Sequence, residues 1–326
     1  MCSFVFKVFK LKTNVTNVSK KLLCLLWLNL KSKSMKKFII ASLFLAGLTS
    51  INAQKSIPLY KGKAPGTENW TQKEAQQFNE LFKTEVVFNV TQPSILVFEA
   101  DKSKANGTVV VVAPGGGFQS LSINREGIDM AKKLAENGIT AVVLKYRLLE
   151  TKSNDPAKEM MENIKDRPAF DKRTAPIKVM AGEDIKTAIS YVRTHAKELN
   201  VNPEKLGVIG FSAGASVILE SVLHSKDAST LPNFAASIYG GPSQEILDTE
   251  IPKSPLPLLI CAASDDQLKL APKSVLLYSK WLEAGQPTEL HIYEKGGHGF
   301  GMGKQNLPVD QWSDVYLDWL RFHKFL

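Results

Sequence analysis

Residues 205–214 read KLGVIGFSAG, and their character changes midway from strand to helix. Leu206, Val208 and Ile209 suit a strand buried on both faces, while the residues from about Ala213 onward suit a helix. Between the two lies Gly210-Phe211-Ser212-Ala213-Gly214, a G-x-S-x-G pattern. A chain that turns sharply from strand into helix strains the backbone of the turn residue and needs small neighbours around it. A serine at such a turn sits beside helix-terminal amides that favour developing negative charge. Ser212 is therefore a candidate nucleophile; the competing role is a helix-capping serine.

The flanking chain repeats the same alternation. Ser94–Glu99 and Thr108–Ala113 (TVVVVA) read as strands, the second an unbroken β-branched run. A helical pattern over Arg125–Glu136 stops at Asn137-Gly138, and Ile139–Leu144 (ITAVVL) is again strand-like, which makes a βαβ unit. Downstream, strands are expected at Phe234–Tyr239, Leu256–Ala262 and Glu289–Tyr293, with helices at Ala181–Leu199, Ser274–Ala284 and Val309–His323. This order predicts one α/β domain with a mostly parallel central sheet covered by helices on both faces. Pro58–Pro93 reads as an arm wrapping the surface ahead of the sheet. Glu150–Thr174, rich in Lys, Asp and Glu, reads as a surface insertion, either a lid or wall of a cleft or a solvated excursion.

A serine hydroxyl needs a base within hydrogen-bond reach. Of the five histidines, His298 lies in Gly296-Gly297-His298-Gly299-Phe300, just after a strand, where glycines let a loop carry the imidazole to the strand ends. His195 and His323 sit in amphipathic helices. An acid that orients the imidazole is expected at the tip of the strand PLLICAA, which offers Asp265 and Asp266. Asp266 is favoured because Ser274, eight residues on, starts the next helix at a spacing usual for this loop; Asp265 would then shape the loop. Pro114-Gly115-Gly116-Gly117-Phe118 follows TVVVVA directly, so the amides of Gly116, Gly117 and Ala213 are candidate oxyanion donors, and Phe118 is expected to contact substrate. Neither phosphate-loop pattern is present. The order Ser, Asp, His is that of the α/β-hydrolase fold.

Charge and cysteines depend on where the mature chain starts. Met35-Lys36-Lys37, the apolar run Phe38–Leu48 and the exit Thr49–Ala53 have the form of a secretory signal, with cleavage expected after Ala53. The apolar run is short of the roughly 20 residues a spanning helix needs, so no stable membrane insertion is expected. Residues 1–34, which hold no acidic residue, read as an extension upstream of the true start at Met35, leaving 35–54 as signal and 55–326 as the catalytic domain. Nine of the 41 Lys and Arg residues and none of the 32 acids fall in residues 1–54, so the remainder is balanced at 32 against 32. No basic tract interleaved with aromatics remains, which argues against a nucleic-acid partner. Cys261 alone is left after the leader, so no intrachain disulfide is expected. No HExxH motif or Cys/His cluster is visible, so neither metal nor cofactor is expected.

These motifs resemble those of the secreted bacterial esterase and lipase group of α/β-hydrolases related to acetyl xylan esterases. The likeness runs through IPLYKGKAPG (57–66), VVVVAPGGGFQSLSINREGIDMAKKLAENGITAVVLKYRL (109–148), IGFSAGA (209–215) and ELHIYEKGGHGFGM (289–302). It differs in the loop QLKLAP (267–272) and in the length of the 150–174 insertion. The resemblance implies a periplasmic or secreted serine esterase acting on short, acetyl-type esters of plant polysaccharides or oligosaccharides. A prolyl-oligopeptidase-like peptidase shares the residue order, and a non-catalytic carbohydrate-binding protein could share the scaffold.

Overall fold

The structure is a computed structural model that describes residues 56–326. The expected signal segment and the extension before it lie outside the described residues. Among the described residues, eleven strands form in chain order: β1 (Ser56–Pro58), β2 (Ala75–Asn79), β3 (Thr84–Phe88), β4 (Ser94–Phe98), β5 (Val109–Ala113), β6 (Ser120–Leu121), β7 (Thr140–Lys145), β8 (Leu206–Phe211), β9 (Phe234–Ile238), β10 (Leu258–Ala263) and β11 (Thr288–Tyr293). The α-helices are α1 (Asp129–Glu136), α2 (Pro156–Ile164), α3 (Arg167–Thr194), α4 (Ala213–His224), α5 (Gln244–Asp248), α6 (Ala271–Glu283) and α7 (Trp312–Phe322).

Eight strands make the main sheet in the order β1-β4-β7-β5-β8-β9-β10-β11. From β7 to β11 all neighbours run parallel, and the antiparallel pair β1 and β4 completes one edge. Every residue of β5, β8, β9 and β10 is buried. Such strands require cover on both faces, which explains why their sequences are continuous apolar runs without alternation. This is the α/β-hydrolase fold expected from the sequence.

Register sets what meets at the carboxyl edge. Ala113 of β5 lies opposite Gly210 of β8, and Phe211 lies opposite Ile238 of β9. The loops that begin at Pro114, Ser212 and Tyr239 therefore leave the sheet side by side. Ala263 of β10 pairs with Tyr293 of β11, which brings the following loops, with Asp265, Asp266 and His298, to the same edge.

One expectation is corrected, and one that was left open is made specific. The 58–93 region is more than a wrapping arm: β2 and β3 form a hairpin that with β6 makes a separate three-stranded sheet, and β1, which leads into the region, extends the main sheet by pairing with β4. Within the 150–174 segment, α2 begins at Pro156 and α3 at Arg167. Asp155 and Asp166 cap α2 and α3 through the amides of Lys158 and Ala169, and α3 runs for 28 residues through Pro176. In its first turns Arg167, Lys172 and Arg173 are exposed while Phe170, Thr174 and Ile177 are buried, so the dense charge of this stretch marks an exposed helix face. Met160 on α2 is buried too.

A buried ion pair ties the amino-terminal arm to this frame. Arg147, just past β7, meets Asp184 of α3 at 2.7 Å, with both side chains almost fully buried. Asp184 also accepts from the Arg147 backbone amide at 2.9 Å and the Tyr60 hydroxyl at 3.2 Å, and Arg147 donates to the carbonyls of Pro65 and Met180. Removing one partner strands the other charge in the core, so Asp184→Ala is expected to lower stability by about 3–5 kcal/mol in urea unfolding.

Candidate active site

Ser212 stands between β8 and α4 with φ 51° and ψ −115°, a left-handed conformation rare for a residue with a side chain. Its amide donates to the Ile238 carbonyl at 3.0 Å, fixing the turn to the end of β9. The turn passes so close to β5 that a methyl group at Gly214 would overlap the Ala113 carbonyl. Small residues on both sides of Ser212 thus follow from the packing of strand, turn and helix.

The structure brings Ser212, His298 and Asp266 into one hydrogen-bonded chain. Ser212 Oγ lies 2.8 Å from His298 Nε2, and His298 Nδ1 lies 2.9 Å from Asp266 Oδ2. A carboxylate can only accept, so Nδ1 carries the proton and Nε2 offers its lone pair to the serine hydroxyl. Asp266 is buried, and its other oxygen accepts from the Leu268 amide at 2.7 Å, which fixes the carboxylate plane. Asp265 makes no bond to the imidazole. Its Oδ1 accepts from the amides of Gly296 and Gly297 at 2.9 and 2.7 Å, holding the loop that carries His298. Gln267 adds a third tie by accepting from the His298 amide at 2.9 Å.

The glycine loop after β5 curls over this chain. Gly116 has φ 137°, and an added methyl there would overlap the Ser120 carbonyl, so the curl closes only around glycine. Its carbonyl accepts from the amides of Gln119 and Ser120. No acceptor among the described residues takes the amides of Gly116, Gly117 or Ala213, whereas the Gly115 amide donates to Glu126 at 2.6 Å. Phe118 differs from expectation: with φ 62° its side chain turns into the core and is buried near Tyr146, with Lys178 Nζ 5.8 Å from its ring centre. A cleft of about 420 Å³ lies beside His298, with Arg125, Asp265, Gln267, Phe300 and Gln305 in its wall.

Helix α2 closes over the glycine loop. Met160 presses against Gly117, where an added methyl would overlap the sulfur. Gln119 bridges to the helix, accepting from Asn163 at 2.9 Å and donating to Glu159 at 3.3 Å. The same Glu159 accepts from the amides of Lys152 and Ser153, and these bonds lower its pKa despite its partial burial. The 150–174 segment is therefore a fixed wall against the loop.

A family model for the dienelactone hydrolase family matches residues 94–326. The chain belongs to the dienelactone hydrolase family. This member is 29% identical over 246 residues to an acetylxylan esterase of Xylanibacter ruminicola, a match covering 66% of this chain and 46% of that protein. The chain thus spans less than half of that relative. Among solved structures, an acetyl ester-xyloside bifunctional hydrolase from Caldicellulosiruptor lactoaceticus superposes with a TM-score of 0.59 at 20% identity, covering 84% of this chain and 97% of that one. Esterase 2 of Thermogutta terrifontis, in a form phosphonylated by cyclosarin, superposes with a TM-score of 0.56 at 21% identity, covering 82% and 98%. At such identities the superpositions establish the shared fold.

Glu126 and Tyr239 are site neighbours that motif reading did not single out. A signal for Glu126 lay in the spacing Ile123, Glu126, Met130, Leu134, an acid within a helical stripe whose other members are buried. Tyr239 carried no such signal, since it prolongs an apolar strand. Gly116→Ala is expected to displace the loop and lower stability by about 1–3 kcal/mol, read as a fall in Tm.

Proposed function

We propose that this chain is an exported serine esterase that removes short, acetyl-type acyl groups from plant polysaccharides or oligosaccharides such as acetylated xylan. The observation that carries the reading is the 2.8 Å contact between Ser212 Oγ and His298 Nε2, with Asp266 at 2.9 Å behind the imidazole. His298 takes the serine proton as Oγ attacks the ester carbonyl, and Asp266 orients and stabilises the imidazolium that forms. The amides of Gly116, Gly117 and Ala213 receive the oxyanion of the tetrahedral intermediate. The alcohol leaves with the proton from His298, and water repeats the cycle to free the acid. No step requires a cofactor.

Support for the substrate comes from two sources. The acetylxylan esterase and the acetyl ester-xyloside hydrolase are named for such chemistry. The cleft beside His298 is lined by polar side chains, Arg125, Asp265, Gln267, Lys304 and Gln305, suited to hydroxyl-rich sugars. Export rests on the signal-like pattern of residues 35–54 and is checked by sequencing the amino terminus of the mature protein.

Three outcomes test the reading. Ser212→Ala is expected to lower kcat/KM for p-nitrophenyl acetate by at least about 10⁴-fold. Asp266→Asn is expected to cost about 10³- to 10⁴-fold in kcat, and Asp265→Asn, which touches only loop amides, less than about tenfold. Acetylated xylan oligosaccharides are expected to release acetate; cleavage of prolyl peptides without any deacetylation would overturn the esterase reading.

A further inference from the structure

Glu126 takes no part in the mechanism above, yet like Asp266 it is an acid buried among the site's loops. It is 5% exposed and lies in the wide helical turn Ile123–Ile128 that precedes α1. Its two carboxylate oxygens both accept: Oε2 from the Gly115 amide at 2.6 Å and Oε1 from the Tyr239 hydroxyl at 2.9 Å. A methyl group added at Gly115 would lie 2.9 Å from both Glu126 Oε2 and Ser212 Cβ, so the carboxylate sits just behind the nucleophile. A methyl added at Gly301, in the loop carrying His298, would lie 3.2 Å from Glu126 Cγ. The Tyr239 ring stands edge-on to the His298 imidazole at 5.1 Å between centres.

A buried acid at this place is costly unless the site uses it. Burial raises the Glu126 pKa, while the bonds from Gly115 and Tyr239, and then the nearby His298, favour the charged form. Both oxygens face donors, the Gly115 amide and the Tyr239 hydroxyl, an arrangement that suits a carboxylate.

We propose that Glu126 is a positioning residue for acyl transfer: its carboxylate holds Gly115, and with it the amides of the glycine loop, in register with Ser212, and lays a second buried negative charge beside His298. The loop bond sets where the oxyanion donors stand. The charge stabilises the imidazolium formed when Ser212 attacks, alongside Asp266 at Nδ1. Other charged groups near the imidazole are Asp265, bound to the Gly296 and Gly297 amides, Arg125, whose guanidinium donates to the Lys83 carbonyl, and Lys304, whose ammonium donates to the Asp310 carbonyl. The inference rests on the esterase reading.

The test uses the full chain with p-nitrophenyl acetate, comparing wild type, Ser212→Ala, Glu126→Gln and Glu126→Asp across pH. Glutamine can accept from Gly115 and donate to the Tyr239 oxygen, so it removes the charge and keeps the shape. The expected result for Glu126→Gln is a fall of at least about tenfold in kcat with KM little changed. The acid limb of kcat/KM should move to lower pH by about half a unit or more, because a neutral neighbour no longer favours the charged imidazole. Glu126→Asp is expected to return the acid limb to its wild-type position and to recover part of kcat. Unchanged kcat and an unmoved acid limb in folded Glu126→Gln overturn the inference, and so does a loss of kcat that leaves the limb in place. Should that variant fail to fold, Tyr239→Phe takes its place, removing one donor from the carboxylate but keeping the ring; a wild-type kcat there overturns the inference. If wild type and Ser212→Ala hydrolyse the ester equally, it is the esterase reading that fails.

Discussion

The backbone at Ser212 is held at φ 51° and ψ −115°, and the rest of the site is organised around keeping it there. A conformation of this kind costs about 1–3 kcal/mol and persists only where its surroundings leave no other choice. Here β8, every residue of which is buried, enters the turn from the interior of the mostly parallel sheet, and α4 leaves it close enough to β5 that position 214 has no room for a side chain. The Ser212 amide bonded to Ile238 closes the remaining freedom. The hydroxyl then projects at the carboxyl edge of the sheet beside the first amides of a helix.

Rigidity of this kind is passed to the neighbouring loops by polar contacts that reach across the sheet. The loop carrying His298 is held at three successive amides, Gly296 and Gly297 by Asp265 and His298 by Gln267, so the imidazole is steered from its own backbone as well as through Asp266. The glycine loop is held from beneath by Glu126 and from outside by Met160 and Gln119. Buried polar groups that are fully bonded rigidify a site more than apolar contacts of the same size, because each has only a few directions in which it can be satisfied. The Arg147–Asp184 pair does the same at the base of the frame, locking β7, α3 and the segment around Tyr60 and Pro65 together.

Much of this was legible in the residues themselves. The run TVVVVA and the strand before Ser212 announced doubly covered strands, and the parallel sheet has them at its centre. The glycines around His298 and after β5 marked loops at strand ends, because a tight curl near another backbone leaves few other residue types possible. Less legible were segments whose composition points away from their conformation. The 150–174 stretch reads as a surface insertion, wall or solvated excursion alike, because one helix face is densely charged and its buried face is sparse. Phe118 looked like a contact for substrate; a left-handed backbone turned it inward, and no local pattern foretells that rotation. β1, β2 and β3 are short, and their pairing depends on partners far along the chain.

Residue order alone determined the fold class and the residue types available at each strand end, since burial on both faces demands apolar runs and a strained turn demands small neighbours. Tertiary structure alone decided which of two adjacent aspartates faces the imidazole: Asp266 reaches Nδ1 and Asp265 turns to the loop amides, a difference of one step along a turn. It also decided that Glu126, Tyr239, Gly115 and Gly301 converge, because strand register and helix packing bring Tyr239 to Glu126 across 113 residues, whereas Gly115 lies 11 residues away. Local sequence constrains the neighbours of a residue along the chain, whereas hydrogen bonds of fixed length and direction form only once the sheet has brought distant loops to one edge.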